Sequence, residues 1–249
     1  MEKNEPLFIN KNEIKSVIFD MDGTLIDSTG IWHEIDIKFF AKRGMELPKD
    51  YAQHIVHLGL RQAAKYTKET YNLEESIQDI MNEWHAMSFE MYQKYVPLKE
   101  GALELLNYFK EHNIIMSIAT ANDEELYMPC LERLGIKDYF SFIADVNNAK
   151  EGKQSAKIYL DLAKRMDTLP ENTLVLEDMP TCVKTAYKNS FITIAVYDES
   201  SKDYDLVKKE NSHLFINSFY ELLQYFKRKR YLRHILNHLA VEPLMLLKK

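Results

Sequence analysis

A short apolar run that ends in two closely spaced carboxylates limits the fold of this chain more than any other segment. Val17, Ile18 and Phe19 are β-branched or aromatic, and the turn after them contains Asp20 and Asp22. Such a run is typical of a buried parallel strand. Open α/β sheets bind ligands at the carboxyl ends of their strands, so the sequence predicts a functional site in this turn.

The residue types of that turn suit a phosphate group and a metal ion. Gly23 lets the backbone turn tightly and approach a ligand, and the hydroxyl of Thr24 can hold a phosphate oxygen. The carboxylates of Asp20 and Asp22 repel each other and stay ionised together only if a cation shares the site. Mg²⁺ prefers such oxygen ligands. The alternative is an ordinary Asp-rich turn in which Gly23 supplies a positive φ.

Two further predicted strands, over residues 114–119 and 173–176, also end in polar residues. Thr120 follows the first, and Glu177 and Asp178 follow the second. A second acidic strand end is what a shared Mg²⁺ requires. Taken alone, a threonine in this position is a common helix cap, and an acidic pair before a helix favours the positive end of the helix dipole.

The segment from Asp20 to Thr24 resembles the first motif of the haloacid dehalogenase superfamily, whose members are mostly phosphatases. The resemblance implies that Asp20 is the nucleophile that attacks phosphorus and that Asp22 is the general acid and base. A carboxylate suits the first role, because it is ionised at neutral pH and forms an acyl phosphate that hydrolyses readily. Asp22 also indicates phosphate esters, since dehalogenating relatives lack a second Asp.

Two more motifs of the superfamily extend the resemblance. Thr120 is similar to the residue that hydrogen-bonds the transferring phosphoryl group. Asp178 would bind Mg²⁺ beside the Asp20 side chain and the Asp22 carbonyl, while Glu177 would act through a metal-bound water. The residues that the resemblance places nearest the substrate are Gly23, Thr24, Ala121, Asn122, Arg61 and Trp32.

Lys153 is similar to the lysine of the remaining motif, which neutralises the nucleophile and the phosphoryl oxygens. Relatives usually carry Pro, another Pro and Asp at positions where this chain has Gln154, Ala156 and Lys157. Lys150 is nearby, and a surface lysine without a role is the alternative reading. Because this loop is changed, a phosphate-ester binding protein of low turnover stays open as a second class of function.

The remaining sequence predicts an α/β fold with an inserted helical domain. Residues 30–96 show helical periodicity and few strand signals, which predicts an all-helical cap. Residues 1–29 and 97–226 predict a doubly wound parallel sheet, the Rossmann-like core of the superfamily. This arrangement resembles the phosphatase and β-phosphoglucomutase branch, in which a cap that closes over the site excludes water and selects the substrate.

Two cap residues bear on the activity. The sugar-phosphate mutase carries a His in the first cap helix where this chain has Trp32, which favours hydrolysis over mutation, although the Trp is equally explained by packing. Arg61 lies about where relatives place a substrate-contacting loop. We therefore predict a Mg²⁺-dependent phosphatase for a small phosphorylated metabolite, with a β-phosphoglucomutase-like mutase as the alternative enzyme.

Composition favours a cytoplasmic enzyme with a small-molecule partner. The net charge of −6 and the sequence pI of about 5.8 give no reason to expect nucleic-acid or membrane binding. Two cysteines are too few for a disulfide framework, and no signal peptide or long apolar span is predicted. Residues 227–249 form a basic and apolar tail, which is either a packed terminal helix or a segment that binds an anionic partner, a membrane surface or another subunit.

Overall fold

Eight strands lie in the part of the chain that the computed structural model describes, residues 6–55, 60–145 and 155–229. The first two form an antiparallel hairpin, and the other six form the main sheet. In chain order they are β1 (Leu7–Ile9), β2 (Asn12–Ile14), β3 (Ser16–Asp20), β4 (Ile115–Thr120), β5 (Phe142–Asp145), β6 (Thr173–Glu177), β7 (Ile192–Val196) and β8 (Leu214–Ile216).

The main sheet is parallel throughout, with the strand order β5-β4-β3-β6-β7-β8. The chain adds strands in one direction from β3 to β5, then returns to the other side of β3 with β6 and continues outward. β3, β6 and β7 are buried along their whole length, as expected for apolar runs in a sheet covered on both faces. The predicted α/β fold with a doubly wound parallel sheet is confirmed.

The strands are connected by helices that begin and end as follows: α1 (Thr29–Lys42), α2 (Tyr51–Ile55), α3 (Leu60–Tyr71), α4 (Ile77–Lys94), α5 (Ala102–Glu111), α6 (Glu124–Arg133), α7 (Lys157–Arg165), α8 (Pro180–Lys188) and α9 (Asp205–Glu210). Residues 219–229 are also helical. The longest helix whose bounds lie within the described residues, α4, starts at a capping box in which Ser76 Oγ accepts from Asp79 N at 3.1 Å and Ser76 N donates to Asp79 Oδ2 at 3.1 Å.

Contacts between residues divide the described chain into two compact units. The sheet unit lies within Met1–Leu25, Leu98–Ala121 and Asp138–Lys249, and the helical unit within Ile26–Pro97 and Asn122–Lys137. The helical unit thus includes α6, which the sequence analysis places with the core. The domain boundaries drawn from the sequence stay a prediction.

Backbone contacts explain why α6 groups with the helical unit. The Arg133 guanidinium of α6 donates to the carbonyl of Tyr92 at 3.1 Å and to that of Val96 at 2.5 Å. Tyr92 lies in the last turn of α4, where backbone acceptors lack partners within the helix, and Val96 lies two residues after the helix ends. The core of this unit is aromatic: the rings of Phe39 and Trp84 lie 5.4 Å apart, and Trp84 is buried.

The helix over residues 219–229 packs on α5 within the sheet unit. Phe226 is buried, and its ring lies 6.1 Å from that of Tyr108 and 5.9 Å from that of Phe109. The predicted tail, residues 227–249, therefore begins as part of this helix, and residues 230–249 lie outside the described range. Within the described range no helix is both long and apolar enough to cross a membrane. The role of the tail stays a prediction.

Candidate active site

The ends of three strands meet where the order of the sheet reverses. β4, β3 and β6 are adjacent and parallel, and they end at Thr120, Asp20 and Glu177. In the register of β3 with β4, Asp20 lies beside Ala119, one residue before Thr120. Ligands of doubly wound sheets bind outside the carboxyl ends of the strands at this reversal. The fold therefore places the predicted site residues at the position where a site is expected.

Three carboxylates form a buried cluster at this edge. Oxygen atoms of Asp20, Glu177 and Asp178 all lie within 4.8 Å of one another. Their residues are 3%, 0% and 2% exposed. Buried carboxylates are costly unless they are paired or bind a cation. The structure thus brings together the three side chains that the sequence predicts to bind or support Mg²⁺.

The electrostatics of the cluster fit a divalent cation. Burial, together with the negative charges of Asp20 and Glu177, raises the pKa of the Asp178 carboxyl well above its usual value. A bound cation would reverse this effect, because it stabilises the ionised form of each carboxylate. The donor set consists of carboxylate oxygens, which suits Mg²⁺. The residues present therefore fit the metal that the sequence predicts.

The turn after β3 lies in close contact with the side chain of Asp178. Gly23 has a φ of +74°, and a Cβ at this position would lie 2.7 Å from Asp178 Oδ2. Thr24 is fully buried, and its hydroxyl donates to Asp178 Oδ1 at 3.1 Å. The glycine is required both for its backbone conformation and for the space it leaves. Thr24 positions a carboxylate in this geometry, and its predicted contact with a phosphate oxygen stays a prediction.

Glu177 is held by hydrogen bonds to both of its carboxylate oxygens. The hydroxyl of Tyr159, on α7, donates to Oε1 at 3.1 Å, and the backbone N–H of Met179 donates to Oε2 at 2.9 Å. Burial and the neighbouring Glu177 carboxylate raise the pKa of the Tyr159 hydroxyl well above its usual value, so that it stays a donor. Glu177 is thus fixed in one orientation beside the other two carboxylates.

The loop after β7 supplies contacts that the sequence analysis does not identify. The hydroxyl of Ser201 donates to the backbone carbonyl of Asp178 at 3.1 Å. Asp198 is buried, pairs with the Lys99 ammonium at 2.6 Å, and adds to the upward shift of the Asp178 pKa. No short sequence pattern could reveal these contacts, because they join residues more than 20 positions apart in the chain.

The match to a family model identifies the chain. The model of haloacid dehalogenase-like hydrolases matches residues 17–196, a span that runs from the second residue of β3 to the end of β7 and includes all three carboxylates of the cluster. The chain belongs to the haloacid dehalogenase-like hydrolases. The resemblance of the Asp20 to Thr24 segment to the first motif of this superfamily is thereby confirmed at the level of the family.

Proteins similar in sequence to this hydrolase include a phosphatase and a mutase. The phosphorylated carbohydrates phosphatase of Thermotoga maritima is 25% identical over 173 residues, which cover 70% of this chain and 80% of the relative. The β-phosphoglucomutase of Bacillus subtilis is 24% identical over 84% of this chain and 95% of its own length. A Thermotoga maritima crystal structure provisionally described as a β-phosphoglucomutase has a TM-score of 0.74 at 22% identity, over 82% of this chain and 94% of its own.

These similarities confirm three predictions for the haloacid dehalogenase-like hydrolase. The chain is an enzyme of the predicted superfamily, it lies on the phosphatase and β-phosphoglucomutase-like branch, and its core has the predicted fold. They do not test the role of any single residue. Asp20, the predicted nucleophile, is buried at the end of β3, and Asp22, the predicted general acid and base, is half-buried in the turn that follows. Both assignments stay predictions.

The other substrate-binding candidates of the hydrolase are divided between the two units. Ala121, exposed after β4, belongs to the sheet unit. Asn122, Trp32 and Arg61 belong to the helical unit, in which the Asn122 amide donates to Tyr92 Oη at 3.2 Å. Trp32 is 46% exposed on α1, and Arg61 is exposed on α3. A half-exposed Trp32 is available to contact a ligand, but its role and that of Arg61 stay predictions.

Thr120 and Lys153 are the two remaining predicted catalytic residues. Lys153, the candidate lysine of the third motif, lies outside the described residues, as does Lys150. Thr120, at the end of β4, is described and fully buried. The contacts of Thr120 and Lys153 with a phosphoryl group stay predictions.

Proposed function

We propose that the protein is a Mg²⁺-dependent phosphatase that hydrolyses a small phosphorylated carbohydrate through a phosphoaspartate on Asp20. The observation that carries this proposal is the cluster of Asp20, Glu177 and Asp178, buried where the strand order of the sheet reverses. Packing does not account for three buried carboxylates, whereas a site that binds a cation and a phosphate does. The substrate class is proposed because the Thermotoga maritima relative is named for phosphorylated carbohydrates.

The chain's own residues would hold the metal in the following way. The side chains of Asp20 and Asp178 and the backbone carbonyl of Asp22 would bind Mg²⁺, and Glu177 would act through a water. When bound, Mg²⁺ supplies positive charge that offsets the carboxylates and the phosphoryl oxygens. The hydrogen bond from Thr24 to Asp178 keeps the Asp178 carboxylate aimed at this position.

In the proposed reaction, Asp20 and Asp22 divide the chemistry between them. The Asp20 carboxylate attacks phosphorus, the bond between phosphorus and the ester oxygen breaks, and Asp22 gives its proton to the departing oxygen. Asp22, now ionised, then takes a proton from a water molecule that attacks the phosphoaspartate. This step releases inorganic phosphate and regenerates Asp20 and protonated Asp22. Such proton transfer contributes roughly a hundred- to ten-thousandfold to the rate.

The remaining candidates would bind the substrate. Thr120 and Lys153 would contact the transferring phosphoryl group, with Gly23, Ala121 and Asn122 near it. Trp32 and Arg61 stay our proposed substrate-binding residues of the cap. We also propose a cytoplasmic location, which the small number of cysteines supports.

A sugar-phosphate mutase is the second candidate. It is favoured by the 24% identity to the Bacillus subtilis β-phosphoglucomutase, which extends over 84% of this chain. Trp32 opposes it, because the mutase carries a His at the corresponding position of the first cap helix. The two activities differ in their products, since a phosphatase releases inorganic phosphate and a mutase returns an isomeric sugar phosphate.

The test is a panel of sugar, hexitol, nucleotide and small-acid phosphates, assayed with Mg²⁺ and with a chelator. Phosphate release and hexose phosphate isomerisation are followed in the same samples, and the Asp20→Asn variant shows whether a contaminating phosphatase contributes. We expect Mg²⁺-dependent phosphate release that is strongest on a carbohydrate phosphate. Isomerisation without release would establish the mutase instead. No turnover by protein that binds Mg²⁺ would contradict both activities and favour a binding protein.

A further inference from the structure

A buried lysine lies behind the carboxylate cluster. Lys208, on α9, is fully buried, and it is the only buried lysine within the described ranges. Its ammonium donates to Ser201 Oγ at 3.0 Å and to the Val196 carbonyl at 3.3 Å, and it forms an ion pair with Asp205 Oδ1 at 2.9 Å. Burial of an ammonium costs several kcal/mol before such contacts offset it. Apolar packing could fill the same space, so the charge calls for an explanation.

A chain of hydrogen bonds runs from this ammonium to the cluster. Because Lys208 donates to Ser201 Oγ, the single hydroxyl proton of Ser201 is available for the Asp178 carbonyl, 3.1 Å away. The carbonyl of Asp198 is a more distant acceptor, at 3.4 Å. Ser201 is itself 3% exposed, so water does not compete freely for this bond.

The peptide group that joins Asp178 to Met179 continues the chain. Its carbonyl accepts from Ser201 at 3.1 Å, and its N–H donates to Glu177 Oε2 at 2.9 Å. Both polar atoms of this peptide group are therefore fixed. Hydrogen bonds in series polarise one another, so a cation at one end strengthens the donor at the other. The result is a directed path from Lys208 to a carboxylate of the cluster.

We propose that Lys208 and Ser201 are positioning residues that set the geometry of the Glu177–Asp178 metal ligands through the peptide group between Asp178 and Met179. The proposal rests on the Mg²⁺ site of the proposed function. Ser201 orients the backbone from which the Asp178 side chain extends, and Lys208 orients Ser201. Groups that orient metal ligands typically change metal affinity by about 10- to 100-fold when they are removed.

The test measures the Kd of Mg²⁺ by calorimetry on the full chain, without substrate, for wild type, Ser201→Ala and Lys208→Met. We expect each substitution to weaken Mg²⁺ binding about tenfold. Because Lys208 acts through Ser201, the double variant should bind Mg²⁺ about as weakly as Ser201→Ala alone, so the two effects should not add. If Lys208→Met does not fold, Lys208→Gln, which keeps a donor without the charge, replaces it.

Two neighbouring residues give matched controls. Ser200→Ala removes a hydroxyl that donates to Asp198 Oδ1 instead of the Asp178 carbonyl, and Lys209→Met removes an exposed lysine of the same helix. Both should keep a Mg²⁺ Kd within about twofold of wild type. Thermal unfolding in chelator separates loss of stability from loss of affinity, since a merely structural role would lower Tm and leave the Kd unchanged.

Three outcomes overturn the proposal: a wild-type protein that does not bind Mg²⁺, a Ser201→Ala Kd within about twofold of wild type, or effects of the two substitutions that add fully in the double variant. Failure of the proposed function is a different result. A wild-type protein that binds Mg²⁺ but hydrolyses no phosphate ester contradicts the phosphatase, while the positioning role is still decided by the Kd values.

Discussion

The sheet unit and the helical unit both bury carboxyl groups, but they accommodate them in different ways. In the sheet unit, Asp20, Glu177 and Asp178 lie together, and hydrogen-bond donors hold two of them in place. In the helical unit, Asp36 is buried on α1 without a hydrogen bond or ion pair to any described residue. Burial raises the pKa of Asp36 to about 7. One proton removes the charge of Asp36, whereas three crowded carboxylates require a cation.

This difference indicates which of the buried carboxyl groups serve a function. A single buried acid that takes up a proton has the properties of a tolerated core residue. A cluster whose members repel each other, yet are fixed by donors from several parts of the chain, has the properties of a binding site. The comparison predicts that substitutions in the cluster change activity and metal binding, whereas substitution of Asp36 changes stability and its dependence on pH.

The largest effect is expected for Asp20→Asn. Loss of the nucleophile should lower phosphate release by about a thousandfold or more, equivalent to about 4 kcal/mol of activation free energy. Removing one of three repelling charges should also stabilise the metal-free protein to urea by about 1 kcal/mol. Asp27→Asn, an exposed change a few residues further along, is the control. Activity within about tenfold of wild type would remove Asp20 from the reaction.

A smaller effect is expected for Asp36→Asn, measured by urea unfolding at pH 5 and pH 8. The folded pKa of about 7 exceeds the unfolded value, so Asp36 favours folding at low pH and this contribution is lost as the pH rises to 7. Wild type should lose about 2.5 kcal/mol more than Asp36→Asn between these pH values. Glu34→Gln, an exposed change on the same helix, should behave as wild type. Equal pH dependence in all three proteins would contradict a raised pKa.

Gly23→Ala should destabilise the protein by about 1–2 kcal/mol and weaken Mg²⁺ binding about tenfold, measured by urea unfolding and by calorimetry. A Cβ at φ +74° is strained, and it would meet Asp178 Oδ2 at 2.7 Å. Gly30→Ala is the matched control, because its added Cβ would meet no atom within 4 Å beyond the adjacent residues and the backbone of its own helix. That variant should gain up to about 1 kcal/mol. If both substitutions change the stability and the Mg²⁺ Kd to the same extent, the turn at Gly23 does not lie in close contact with Asp178.

The smallest effect is expected for Tyr159→Phe, which removes only the donor to Glu177 Oε1. We expect a loss of about 1 kcal/mol of stability and an increase of about threefold in the Mg²⁺ Kd. Tyr220→Phe, which breaks a hydrogen bond of 2.7 Å from an exposed tyrosine to Glu104, is the matched control and should leave the Kd unchanged. An unchanged Kd for Tyr159→Phe would show that Glu177 does not depend on this bond.

The parts of the site that the sequence predicts are those encoded by neighbouring residues. Apolar strands that end in Asp20, Thr120 and Glu177 are visible as local patterns, and the parallel sheet brings their ends together. Tyr159 and Ser201 could not be predicted, because their importance arises from contacts with distant residues. From the sequence, Tyr159 is an ordinary core residue of an amphipathic helix. Only the structure shows that its hydroxyl donates a hydrogen bond to Glu177.

Domain organisation shows the same limit. Helical periodicity is sufficient to predict an inserted helical region, but it does not show which neighbours a helix has. α6 follows a strand of the sheet, so the sequence places it with the core, whereas Arg133 binds the carbonyls at the end of α4. The local sequence pattern predicts whether a segment forms a helix or a strand. Long-range hydrogen bonds decide in which unit that helix or strand lies.

The position of β3 in the sheet has a consequence for synthesis of the chain. This central strand is the first strand of the main sheet to be made, but β4 begins about 95 residues later and β6 about 150 residues later. At about 5–20 residues per second, a ribosome needs roughly 8–30 seconds to complete β6 after β3. Most of the helical unit, Ile26–Pro97, emerges in that interval as one continuous segment. The nascent chain therefore carries this central apolar strand without its neighbours in the sheet for several seconds, a period in which a chaperone that shields the segment would raise the yield.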